Sequence, residues 1–205
     1  MKTIRTYYKE HIERNKKMKR WISGILGLLV LLSVIVFIRT YNAIMKPNTM
    51  ITNDSEVSLY IHSDDDFETI KNKLYSDSVI INRRSFEWLA KKLDYPKYIK
   101  SGHYVIKDGM NNNQLLNMLR SGNQIPIDFT FNNIRTIEQF AKEADDQLEL
   151  DSLSILKALN EDSLLKEMGF KKESFASLFI PNTYELYWNI NPKDCDFIIE
   201  IYNNQ

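Results

Sequence analysis

Trp21 to Ile38, WISGILGLLVLLSVIVFI, is a run of eighteen residues without a charge, closed by Arg20 and Arg39. At ~1.5 Å of rise per residue such a helix covers roughly 27 Å, close to the ~30 Å hydrocarbon core of a bilayer. A core helix of a soluble protein would carry one polar face. Here only Ser23, Gly24, Gly27 and Ser33 interrupt the run, and they are scattered around it. A cleaved signal would have a shorter apolar stretch ending in small residues, whereas this one ends in Ile38-Arg39-Thr40-Tyr41-Asn42. The reading is a single membrane-spanning helix over 21–38.

The flanks give it a direction. Residues 1–20 hold Lys2, Arg5, Lys9, Arg14, Lys16, Lys17, Lys19 and Arg20 against Glu10 and Glu13. Eight bases against two acids leave this tail at +6, and the remaining 19 bases and 25 acids put residues 21–205 at −6, so the formal net charge of zero conceals a split. By the positive-inside rule the tail is cytoplasmic and everything after the span is exported. Basic residues directly before an apolar span answer to topology, and nothing points to nucleic acid.

About 165 residues follow the anchor, enough for one medium domain or two small ones. The single Cys195 has no partner for an intramolecular disulfide and no obvious His nearby, so the exported part depends on its core. Residues 39–55 (RTYNAIMKPNTMITNDS) read as a connector, with Pro47 and Thr52-Asn53-Asp54-Ser55 breaking any continuous helix.

Val57 to Ile61 alternates and is rich in strand formers. Asp65-Asp66-Phe67-Glu68 has capping-box spacing and opens a helix with Phe67, Ile70 and Leu74 inward. The acids at 64–66 lack the alternating ligands of a calcium loop and read as helix N-terminal charge. Asn82 caps a second helix with Phe86, Leu89, Ala90 and Leu93 at i, i+3, i+4 and i+7, ended by Pro96. Gly102 to Ile106 is a second strand, which completes strand, helix, helix, strand, with Leu59, Tyr104 and Ile106 in its core. Asp108-Gly109 is a turn, Asn112 or Asn113 caps a third helix bearing Leu115, Leu116 and Leu119, and Gly122 stops it. Pro126 to Phe131 (PIDFTF) alternates again. Thr136-Ile-Glu-Gln139 is a capping box for a helix with Phe140, Ala141, Ala144 and Leu148 on one face. Residues 153–159 and 163–168 read as two more short helices, and Phe197, Ile198, Ile201 and Tyr202 begin an amphipathic one. The fold class is α+β.

This ordered set resembles the YceG-like (MltG) endolytic murein transglycosylases. It runs from Phe67-x-x-Ile70-x-x-x-Leu74 and Ser78-Val-Ile80 through Ser101-Gly-His-Tyr104, Asp108-Gly-Met110 and Leu115-Leu116-x-x-Leu119-x-x-Gly122 to Phe129-Thr-Phe131 and Thr136-Ile-Glu-Gln139. Its sharpest piece is Phe179-Ile-Pro-Asn-Thr-Tyr-Glu-Leu186, similar to the family's L-E-G-Y-L-F-P-D-T-Y-E-F. The resemblance implies a LysM-like β-α-α-β subdomain over 56–124 and the beginning of a catalytic region over 125–205, in a chain whose relatives continue further. It also implies a lyase of the bacterial inner (cytoplasmic) membrane that cuts peptidoglycan glycan strands without water and leaves 1,6-anhydro-muramoyl ends. No cofactor or metal is implied. Glycan strands are the implied partner, with cell-wall synthesis proteins beside them.

The implied chemistry needs one carboxyl group that protonates the glycosidic oxygen and then takes the proton of the attacking sugar hydroxyl. Aligning Pro181-Asn182-Thr183-Tyr184-Glu185 with P-D-T-Y-E places Ala176 where the family has its catalytic Glu. Glu173 and Glu185 are the nearby acids, and Glu185 occupies a position that is Glu in the family motif. The catalytic candidate is therefore Glu185, whose raised pKa would require partial burial among Tyr184, Tyr187 and Trp188. The alternative is a solvated surface carboxylate. Asn182 and Thr183 offer hydrogen bonds suited to a sugar, and Trp188 and Tyr187 offer faces on which a saccharide could stack, although aromatics in such density also suit a core; Tyr184 is grouped with the substrate-binding residues, and with Pro181 it equally suits a turn and core filling. Two readings remain: an anchored peptidoglycan transglycosylase, and an inactive tethered glycan-binding or scaffold module.

Overall fold

A computed structural model describes residues 4–52, 55–132, 134–160 and 182–190, in two compact units, Met1–Lys46 and Pro47–Gln205. The first unit is one helix, α1 (Ile4–Met45), 42 residues long and thus ~63 Å from end to end. It extends well past both ends of the apolar run, through part of the expected connector, and stops two residues short of Pro47, whose ring disfavours helix in the residue before it. The side chains from 21 to 38 are all exposed in the molecule itself. The hydroxyls that interrupt the run turn back onto the helix: Ser23 Oγ donates to the Arg20 carbonyl at 3.0 Å and Ser33 Oγ to that of Val30 at 2.7 Å. This segment is long and apolar enough to cross a membrane.

The second unit begins with the strand-helix-helix-strand order expected from the sequence. Strand β1 (Glu56–Ile61) pairs antiparallel with β2 (Gly102–Lys107), Leu59 opposite Tyr104 and Ile61 opposite Gly102. Between them lie α2 (Phe67–Ser76), α3 (Arg83–Lys92) and a single 3-10 turn, Tyr95–Lys97. Leu59, Ile70, Leu74, Phe86, Leu89, Tyr104 and Ile106 are all buried together, as the periodicities require. Helix α4 (Asn112–Ser121) adds Leu115, Leu116 and Leu119 to this core and ends at Gly122 with φ +72°, a conformation glycine adopts without strain. Burial pushes the Tyr104 hydroxyl up to about 12, so it stays protonated and donates to the Lys100 carbonyl at 2.9 Å, tying down the loop before β2.

Two helix starts differ from expectation by a residue. Asp66, not Asp65, caps α2 by accepting from the Thr69 amide, because the Asp65 carboxylate is occupied by the His62 amide and the Lys73 ammonium. Asn111, not Asn112 or Asn113, caps α4 in a full capping box with Gln114. Asn112 is buried and engaged elsewhere: its Oδ1 accepts from Asn48 Nδ2 at 2.6 Å and its Nδ2 donates to Ser85 Oγ at 3.0 Å.

That Asn48 partner corrects the reading of 39–55 as a connector. Asn48 and Thr49 are buried inside the unit. Asn48 Nδ2 donates to the Asn82 carbonyl at 3.1 Å and its Oδ1 accepts from the Asn82 amide at 2.7 Å. Thr49 Oγ1 donates to the Lys107 carbonyl at 2.8 Å and accepts from the Met110 amide at 2.7 Å. Pro47 and Thr49 bridge to Asn111 and Ile80 in antiparallel fashion. The first residues after α1 are thus woven into the fold.

Strand β3 (Ile127–Phe131) and helices α5 (Ile137–Gln147) and α6 (Ser152–Asn160) follow, with β4 (Asn182–Leu186) returning antiparallel to β3. Thr136 caps α5 by accepting from the Gln139 amide at 3.2 Å, while Gln139 Oε1 reaches one residue past the usual box, to the Arg135 amide. Phe129, Phe131, Phe140, Ala141, Ala144, Leu148, Ile155, Tyr184 and Leu186 make the core here. The helix expected over 163–168 and the one begun at Phe197, together with Glu173, Ala176, Pro181 and Cys195, lie outside the described residues.

Candidate functional site

The β3–β4 ribbon carries the motif residues. Side chains alternate along a strand, and directly opposed residues of an antiparallel pair share a face. Phe129 opposite Tyr184 and Ile127 opposite Leu186 therefore point inward, and Asp128 opposite Glu185 and Thr130 opposite Thr183 point outward. The two threonine hydroxyls lie 2.9 Å apart. Gln147 holds the strand from one side, its Oε1 accepting from the Thr130 amide at 3.1 Å and its Nε2 donating to the Thr130 carbonyl at 2.8 Å.

The same alternation separates the expected site residues. Tyr184 is 2% exposed and stacks on Phe131 with centroids 5.4 Å apart and planes 12° from parallel. Trp188 is 7% exposed. It meets Tyr60 edge-on at 5.1 Å and His62 at 4.8 Å. Both are core residues, not surfaces on which a sugar could stack. Thr183 and Glu185 are exposed on the outer face, and Asn182 pairs through its backbone with Phe131. Among the described residues Glu185 is exposed and not half-buried, because the strand turns Tyr184 to the opposite face and Trp188 packs against Tyr60 of β1 and His62. Tyr187, 49% exposed, is the aromatic left at the surface of this segment.

Asp128 and Glu149 escaped the sequence reading. Asp128 stands across the ribbon from Glu185, a partner that the alternation of PIDFTF marks as outward but that only the register pairs with Glu185. Glu149 is half-buried where the two halves of the unit meet. Its carboxylate accepts from the Ser63 amide and, at 3.1 Å, from the Ser63 hydroxyl, and lies 3.6 Å from His62 Nδ1. Its amide donates to the Trp188 carbonyl at 2.8 Å. Nearby, Asn189 Nδ2 donates to the Ser101 carbonyl at 3.0 Å and lies 2.9 Å from the Ser101 hydroxyl. The ribbon's final turn is thereby fastened to the loops before α2 and before β2.

Those two loops border a cleft of about 620 Å³, lined by His62, Asp65, Asp66, Glu68, Lys97 and Ser101 among others. Asp66 is held below the usual carboxylate range by the Thr69 amide it caps. Among the described residues no cluster of His, Cys, Asp and Glu is arranged to hold a metal ion.

The YceG-like family model matches residues 59–204. Among solved structures, a yceG-like protein from Listeria monocytogenes is similar at 19% identity, over 73% of this chain and 53% of that one, with a TM-score of 0.42. The chain thus spans about half the length of that relative. No curated protein matches it.

Proposed function

The chain belongs to the YceG-like family, and from that premise we propose that it is a membrane-anchored peptidoglycan transglycosylase of the endolytic type. The observation that carries the reading is the family match over 59–204, which takes in most of the β-α-α-β unit, from Leu59 onward, and the ribbon bearing Asn182-Thr183-Tyr184-Glu185. The apolar segment of α1 is the anchor, the basic residues before it stay in the cytoplasm, and the second unit is exported to the glycan strands. The β1-α2-α3-β2 unit plays the LysM-like part.

In the reaction a carboxylic acid protonates the glycosidic oxygen as the C–O bond breaks. The same group, now a carboxylate, removes the proton from the sugar's own hydroxyl as that oxygen bonds to the anomeric carbon, closing the 1,6-anhydro ring. Glu185 is the acid placed on the motif's exposed face, with the threonine hydroxyls beside it. One observation favours a second reading, a tethered glycan-binding module without chemistry: Ala176 stands where the family motif has its acid.

Incubating the detergent-solubilised full chain with glycan strands and examining the products by mass spectrometry separates the two. New anhydro ends support the enzyme. Strand binding without new ends supports the module, and neither binding nor cleavage overturns both.

A further inference from the structure

The segment from Lys97 to Ser101 divides two clefts of opposite character. Lys97, Ile99 and Ser101 line the cleft of about 620 Å³ that also contains Asp65, Asp66 and Glu68. The alternate residues, Tyr98 and Lys100, line a second one of about 830 Å³ against α4. The second cleft presents two cations, Lys100 and Arg120, and the side-chain amides of Asn113, Gln114, Asn117 and Asn123, and no carboxylate among the described residues that line it. The Arg120 guanidinium lies over the Tyr98 ring at 5.0 Å from its centroid, a stacked arrangement in which the guanidinium edges keep their N–H donors. Lys100 Nζ donates to the Ser121 carbonyl at 3.0 Å, which uses one of the three donors an ammonium has.

We infer that this cleft binds a carboxylate of the peptide stems carried by peptidoglycan strands, an inference that rests on the peptidoglycan reading for its ligand. A neutral sugar backbone has no use for two cations without an acid between them. An Arg fork and a Lys ammonium match a carboxylate or a phosphate. Gln114 Oε1 is held by the Asn111 amide and Asn117 Nδ2 by Asn113 Oδ1, and the other amide groups of the lining favour the stem, which brings N–H and C=O groups for both their acceptors and their donors, whereas a phosphate polymer brings acceptors for the donors alone.

The test measures binding of the full chain in detergent to labelled glycan strands with their stems and to strands stripped of stems by an amidase. The expected result is at least ~10-fold tighter binding of stem-bearing strands, a difference abolished in the Lys100→Gln, Arg120→Gln double variant. Amidating the stem carboxylates removes the same difference with the protein unchanged, which keeps the test valid if the double variant fails to fold. Equal affinity for the two kinds of strand, a preference untouched by amidation, or better competition by poly(glycerol phosphate) than by free stem peptide overturns the inference and leaves the proposed function standing. Binding to neither strand overturns both.

Discussion

Replacing Trp188 with Ala separates a structural role from a sugar-stacking one. Trp188 is 7% exposed, its indole wedged edge-on against Tyr60 at 5.1 Å and His62 at 4.8 Å, while its backbone carbonyl accepts from the Glu149 amide at 2.8 Å. Tyr60 in turn stacks on His103 at 4.6 Å, so the indole closes an aromatic row that joins β1 and β2 to the end of the ribbon. Truncating a buried aromatic to Ala costs ~3–5 kcal/mol, and the lost edge-on pairing adds to that for each partner. With an m-value of ~2 kcal/mol/M in urea, the unfolding midpoint should fall by roughly 1.5–2.5 M. Pulse proteolysis of the detergent-solubilised chain across a urea series reads this midpoint without tryptophan fluorescence. Trp188→Phe should recover about half of the loss, because a smaller ring still touches Tyr60. A midpoint shift below ~0.5 M, corresponding to under ~1 kcal/mol, together with lost glycan binding, would show that the indole faces ligand and that the ribbon is packed differently.

Asn48→Ala leaves the Asn82 amide and the Asn112 side chain short of a buried partner, and at ~1–3 kcal/mol for each unsatisfied group the urea midpoint should drop by about 1 M or more. Asp66 and Asp151 both have carboxyl pKa values lowered in the fold, Asp66 chiefly by the Thr69 amide and Asp151 chiefly by the Ser154 hydroxyl. Their stabilising contribution is therefore complete above the ordinary carboxylate value of about 4 and is lost as pH falls through the lower folded value. Asp66→Asn, which keeps a capping oxygen but does not titrate, should flatten the acid limb of a midpoint-versus-pH curve. Glu185→Gln should reduce formation of anhydro ends by at least ~100-fold with an unchanged urea midpoint, and ordinary turnover in that variant would make this carboxylate a bystander. A reporter that works only outside the cytoplasm should be active when fused after Gln205 and inactive when fused before Lys16, the reverse pattern contradicting the cytoplasmic placement of the basic tail.

What the sequence made legible was whatever a local period could encode. Phe86, Leu89 and Ala90 fall on one helical face and are buried; Phe129 and Phe131 alternate with Asp128 and Thr130, and the strand turns them as that alternation requires. What it hid depended on partners far along the chain. Asn48 looks like solvent-facing connector because polar residues beside a proline usually are, and its burial makes sense only with Asn82 and Asn112, which are 34 and 64 positions away. Asn111, Asn112 and Asn113 are locally equivalent caps, and the choice among them is made by Asn48 and Ser85 occupying Asn112. Trp188, like Tyr187, looks like a saccharide platform, and Tyr184 could as well be core; of the three only Tyr187 stays at the surface. The burial of Tyr184 and Trp188 follows from a pairing with β3 and a docking against β1 that no spacing within the motif records.

The register of the ribbon also bears on how a wall polymer could be handled. Asp128 and Glu185 are directly opposed on an exposed face, and like charges so placed disfavour each other. A pair of that kind persists on a two-stranded ribbon held by the Phe129, Phe131 and Tyr184 packing beneath it, and it makes the outer face hostile to anions. Under the proposed reaction one carboxyl group serves both proton transfers, so the second acid would be surplus to them. Under the proposed function its consequence would be a sorting of the ligand: the uncharged sugar backbone would lie across the threonine hydroxyls, and the anionic stems would be kept from the ribbon's outer face and taken by Lys100 and Arg120. Charge on the ribbon and in the cleft of Lys100 and Arg120 would then set which part of the strand faces which part of the protein. Orientation of this kind adds most where the reacting group is exposed, since an exposed carboxyl gains little from burial and depends on how the strand is held.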